Sequence, residues 1–209
     1  MLCTTEKLHR SRTWNSKEKR LYAVRQVRRL DLRKEVHQPM KLRQQISGYH
    51  LPEYLSDVLT LDTAGTFLHM SVEVQENTTV FVYDLCGMEQ INLRTMSTVD
   101  RIRLMEILLD IDDINEDHLI PASAYLIEPE LIYCRNHQLT FNSVRILFYP
   151  DTHKKDFMYK WGMSAFRILR PEEVRESDLL TRLRHQMEVD GSRAGIRRLL
   201  QRTAKRLEE

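Results

Sequence analysis

Cysteine is scarce in this chain. Cys3, Cys86 and Cys134 are odd in number, far apart and in no C-x-x-C pair, so neither a disulfide framework nor a zinc ribbon is indicated. Long apolar runs are lacking as well. Stretches such as "RILFY" fall far short of the roughly 18 to 20 residues that cross a bilayer, and the opening "MLCTTEKLHRSR" has no apolar stretch of signal-peptide length. A cytoplasmic protein with reduced thiols is the expectation. Paired metal ligands are missing too: His9, His37, His50, His69, His118, His137, His153 and His185 are scattered, with none at the three- to five-residue spacing of a metal site. Ser123 and Ser164 sit in no G-x-S-x-G elbow, and Cys134 lies in an apolar run that suits a core thiol better than a nucleophile. No cofactor is expected.

What is present suits one domain with extensions. The 209 residues are 42% hydrophobic and 30% charged, enough to bury a core. The net charge of +2 is unevenly spread. Lys and Arg against Asp and Glu number 13 and 4 over residues 1–45, 10 and 18 over 46–170, and 9 and 8 over 171–209. The basic N-terminal arm, with Arg25, Arg28, Arg29, Arg33 and Lys34 in "RQVRRLDLRK", can attract phosphate or a negative surface within a Debye length of roughly 10 Å. The favoured reading is a solvated, partly helical segment lying against the acidic middle of its own chain rather than a nucleic-acid or lipid contact. Only Trp14 and Tyr22 interleave with these charges, which is thin for base stacking.

Periodicity supplies the elements. Residues 18–34 have a modest helical pattern through Leu21, Val24, Val27 and Leu30. Residues 46–63 are broken by Gly48 and Pro52 and read as a connector with one short helical turn. "GTFLHMSVEV" and "TVFVYDL", parted by "QENT", predict a β-hairpin, and "CGMEQINLRTMS" a turn and short helix. Residues 98–113 carry the strongest helical signal, capped by Ser97 or Thr98, with Ile102, Met105, Leu108, Leu109 and Ile111 on one face. Its end, "DIDDINED", places acids where a helix dipole disfavours them, so fraying is expected. As a calcium loop it lacks the central Gly and the distal Glu. Short strands follow in "SAYLIEP", "LIYCRN", "LTFN" and "VRILFYP". A helix over "KKDFMYKWGMSAFRILRP" stops at Pro171, and two more helices are divided by Gly191. The last of them, basic on one side, suits a surface helix docked on its own domain, or else one that coats a membrane or a partner.

Three motifs recur in an order that resembles a known family. They are Tyr83-Asp84-Leu85-Cys86-Gly87, then Tyr125-Leu126-Ile127-Glu128-Pro129-Glu130-Leu131-Ile132-Tyr133, then Phe148-Tyr149-Pro150. Across roughly residues 64–170 the chain resembles the cytoplasmic pseudokinase domain of type VII secretion proteins of the EssB/YukC kind. It also resembles a related bacterial domain fused to forkhead-associated modules. The resemblance implies an α+β, degenerate protein-kinase-like fold: a small β-rich lobe and a helical lobe over 64–170, after a basic arm (1–45) and a connector (46–63), and before a C-terminal helical extension (171–209).

Laid over the kinase pattern, the catalytic charges are absent. Leu126 falls where a kinase has its base, Leu131 where it has the magnesium-binding Asn, and Phe148 where it has the metal-binding Asp. The strand "TVFVYDL" offers Asp84 but no lysine, and no G-x-G-x-x-G precedes it. Phosphoryl transfer is almost entirely electrostatic positioning, so this pattern implies no catalysis. The expected function is a non-enzymatic scaffold or protein-interaction module of a bacterial secretion or signalling assembly, with an unidentified protein partner. The alternative is a nucleic-acid-associated protein that uses the basic arm. Leu126 and Ile132 are expected in a shared core with Ile146 and Leu109, with Glu128 and Glu130 in a solvated turn.

Overall fold

The computed structural model describes residues 40–209; Arg25, Arg28, Arg29, Arg33 and Lys34 lie outside them. The chain is mixed α+β, with helices around two small antiparallel sheets. In the first, β3 (Thr78–Asp84) is central, flanked by β1 (Lys41–Ser47) and β2 (Met70–Gln75). The expected hairpin is β2–β3, turning at Glu76 and Asn77. Because a strand alternates faces, Met70 and Tyr83 sit opposite one another and are both fully buried. β1 pairs along all of β3, and Leu42 is buried opposite Tyr83. Among the described residues the compact unit therefore includes β1, which lies before the boundaries expected at 46 and 64. The expected connector holds helix α1 (Glu53–Leu61), which buries Leu55 and Leu59 and packs on β2.

The second sheet orders β4 (Met88–Gln90), β5 (Ile132–Arg135) and β6 (Val144–Ile146). β4 occupies the segment expected to be a turn and short helix: Met88 turns inward while Gln90 bonds the Glu130 carbonyl across the sheet at 2.6 Å. "LTFN" supplies a 3-10 turn, Phe141–Ser143, instead of a strand. The sheets meet where Leu68 donates to Ile146 and Ile146 to Thr66, joining the run-in of β2 to β6. Phe67, Phe81, Tyr125 and Phe148 cluster there with ring centroids 5.1 to 5.6 Å apart, favourable separations for aromatic packing.

Helix α2 (Thr98–Asp117) crosses this core. Ser97 and Asp100 form a reciprocal capping box at its start. Burial of Ile102, Leu104, Met105, Ile107, Leu108, Leu109 and Ile111 extends beyond one stripe, as befits a helix covered on several sides. It does not fray at "DIDDINED". Helix α5 (Arg193–Glu208) packs along it and supplies the missing cations. Arg193 pairs with Asp112, Asp113 and Glu116, and Arg197 with Asp110 and Asp113. Helices α3 (Phe157–Ile168) and α4 (Val174–Val189) complete the fold. At the turn between α4 and α5, Gly191 adopts φ +60°, a conformation that costs glycine little. The C-terminal helices, expected to be an extension, are thus integral to the unit, with Ile196 and Leu200 fully buried. Among the described residues no helix is long and apolar enough to cross a membrane.

Candidate functional site

The positions that overlay kinase chemistry do not assemble a site. Asp84 ends β3, where it accepts the Cys86 amide at 3.1 Å in a local turn. Leu131 and Phe148 are buried core residues, and the Phe148 carbonyl accepts the Tyr83 hydroxyl. Leu126 is only half-buried, whereas Tyr125 and Ile127 on either side of it are buried. The expected core position was therefore one residue out of register, and in extended chain one residue exchanges the faces. Ile132, Ile146 and Leu109 are buried as expected, with Ile132 directly opposite Ile146. Glu128 and Glu130 are not in a solvated turn. Arg167 of α3 pairs with both, and Pro129 between them is buried.

A cluster of buried polar groups lies between α2, α3 and α5. Thr66 donates to Asn115 at 2.5 Å, Asn115 donates to the Tyr125 oxygen at 2.9 Å, and the Tyr125 hydroxyl donates to Asp112 at 3.3 Å. Arg193 approaches the other oxygen of Asp112. Close by, Lys160 donates to the carbonyls of Ala122 and Tyr125 and pairs with Asp151 at 3.2 Å. Burial pushes the Asp112 carboxyl up to about 6, against the opposing pull of Arg193. Burial also raises the Tyr125 hydroxyl and lowers the Lys160 ammonium, the latter countered by Asp151. Perturbed groups of this kind can mark catalysis. Here each is occupied by a structural partner, and the hollow nearby, lined by Tyr54, Glu116, Leu119, Ile120, Pro121 and Ala122, includes none of Asp112, Tyr125, Asp151 or Lys160. The cluster ties elements together. No group of His, Cys, Asp and Glu that could hold a metal ion occurs among the described residues.

An open apolar groove runs between α3 and α4. Asp156 caps α3 by accepting the Tyr159 amide at 2.8 Å, which fixes how the helix presents its faces. One face is structural: Phe157, Trp161, Ala165 and Ile168 are buried, and the Trp161 indole donates to the Met105 carbonyl at 3.1 Å. The other is apolar yet turned to solvent. Tyr159, Met163 and Phe166 recur at helical spacing and are 43%, 48% and 42% exposed. With Met187, Arg184 and Glu188 of α4 they rim a groove of about 300 Å³ floored by Trp161, Ala165, Leu180 and Leu183. The end of the Met187 side chain packs over Gly162, where a Cβ would stand 2.9 Å from its methyl. The Arg184 guanidinium lies 5.2 Å from the centre of the Phe166 ring and covers part of it.

Sequence reasoning found α3 but assigned it no site. The available signal was that "FMYKWGMSAFRI" is apolar on two faces, more than one core contact requires. No protein-family model matches the chain, and no curated protein matches it either.

Proposed function

We propose that the chain is a non-catalytic, pseudokinase-like protein-interaction module, and that the α3–α4 groove receives an apolar, helical segment of a partner protein. The observation that carries this reading is the exposed row Tyr159, Met163 and Phe166 beside an apolar floor. Side chains recurring at i, i+4 and i+7 suit helix-in-groove recognition, and methionine adapts readily to a partner's contour. In favour of a non-catalytic role, Leu131 and Phe148, which the resemblance aligns with the metal-holding groups of kinases, are apolar and packed in the core. The resemblance to secretion pseudokinases suggests a bacterial secretion or signalling assembly as the setting.

The test is assembly in the native host. The Met163→Asp/Phe166→Asp chain should keep its melting temperature yet elute from extract as the free species, while the unaltered chain elutes with its partner. Co-elution that survives the double change overturns the reading. ATP with magnesium should give no thermal shift, because a ligand stabilises only a native state that binds it. A shift of several degrees at millimolar ATP, lost without magnesium, would contradict the pseudokinase assignment.

A further inference from the structure

Helix α5 has two basic sides with different fates. Arg193 and Arg197 turn toward the acids of α2 and are neutralised there. Arg198, Arg202 and Lys205 stand at i, i+4 and i+7 on the opposite side, with Arg206 one residue further on. All four are exposed, and none has an ion pair or side-chain hydrogen bond among the described residues. At 100° per residue they fall within an arc of about 100°, and at 1.5 Å per residue they extend about 12 Å along the axis. Glu208 is drawn aside by Arg103 at 2.6 Å, so Glu209 is the acid at the end of the row. A helix dipole favours cations in the last turn, which accounts for Lys205 and Arg206 but not for Arg198 and Arg202. Like charges four residues apart also weaken a helix, so the row is unfavourable without a counter-charge.

We propose that this outer face of α5 binds the phosphate backbone of duplex nucleic acid through Arg198, Arg202, Lys205 and Arg206. A duplex presents a charge about every 1.7 Å along its axis, so a straight cationic row meets phosphates over its whole length. Guanidinium groups hold phosphate oxygens in pairs. The row contains no aromatic side chain, and single-strand binding depends on stacking bases against aromatics. A bilayer fits less well, because an interfacial helix inserts an apolar face and that of α5, Ile196 and Leu200, is covered. The contact is electrostatic and independent of base sequence. It does not depend on the α3–α4 groove.

The experiment is fluorescence anisotropy of a random-sequence 25-base-pair DNA duplex titrated with the full chain between 50 and 200 mM salt. Affinity should fall linearly on a log–log plot. In the R198Q/R202Q/K205Q/R206Q chain the slope should lessen by about 3 to 4, with affinity at 100 mM salt reduced by about tenfold or more. The R135Q/K154Q/K155Q/R175Q chain loses as much charge from exposed sites elsewhere and should nearly match the unaltered protein. If the fourfold stripe variant fails to fold by circular dichroism, R202Q alone should lessen the slope by about 1. An unchanged slope, an equal loss in the control, or no binding at 50 mM salt overturns the proposal. So does binding to phosphatidylglycerol vesicles that needs the stripe while duplex binding does not.

Discussion

The α2–α5 and α3–α4 seams both pair neighbouring helices and end differently. In the first, Ile196 and Leu200 are fully buried and the flanking arginines meet Asp110, Asp112, Asp113 and Glu116, so both apolar and charged groups are satisfied within the chain. In the second, the floor is buried but Tyr159, Met163 and Phe166 stay exposed and the groove remains open. The closed seam is where the fold gains stability. The open one retains apolar area that folding did not use, which is what a partner can still cover.

The comparison is broken most severely at the floor that joins the two seams. Trp161→Ala removes a buried ring and its hydrogen bond to α2, and should cost about 3–5 kcal/mol in urea denaturation. A cost below about 1 kcal/mol would show that the floor is not packed as described.

Next comes pH. The Asp112 carboxyl holds its proton to about pH 6 in the fold but only to about 3.9 when unfolded. Its stabilising contribution is therefore fully present below about pH 4 and is lost as pH rises through about 6. Relative to Asp112→Asn, the unaltered chain should lose up to about 2–3 kcal/mol across that window. A flat difference between the two profiles would remove Asp112 from the seam's energetics.

Arg193→Met sharpens the same contrast, because it leaves Asp112 buried without its cation. Arg193 keeps some solvent contact, so the cost should be about 2 kcal/mol at pH 7, below that of a wholly buried pair. The smallest effect belongs to the open seam. Met163→Ser should change stability by less than about 0.5 kcal/mol, since its exposed side chain contributes to no closed core.

The sequence made the elements legible where local chemistry was strong. Alternation placed the β2–β3 hairpin, Ser97 with Asp100 marked the start of α2, and Gly191 divided α4 from α5. Non-local pairing was not legible. Lys41–Ser47 reads as part of a basic arm until β3 pairs with it, and the acids of 110–117 read as a fraying end until Arg193 and Arg197 arrive from some 80 residues away. Leu126 was misplaced because one residue of register in an extended segment exchanges the buried and exposed sides. The groove left a trace in the double apolar face of α3, but its depth is set by Leu180, Leu183 and Met187 of another helix.

The most direct test of the interaction reading places a photo-crosslinking benzophenone amino acid at Tyr159 on the groove rim, and at Val74 on exposed β2 as a control, in the chain's native host. The account predicts a discrete protein adduct from position 159 that disappears when Met163→Asp and Phe166→Asp are added, and none from position 74. No adduct at 159, or one indifferent to those two changes, would contradict it.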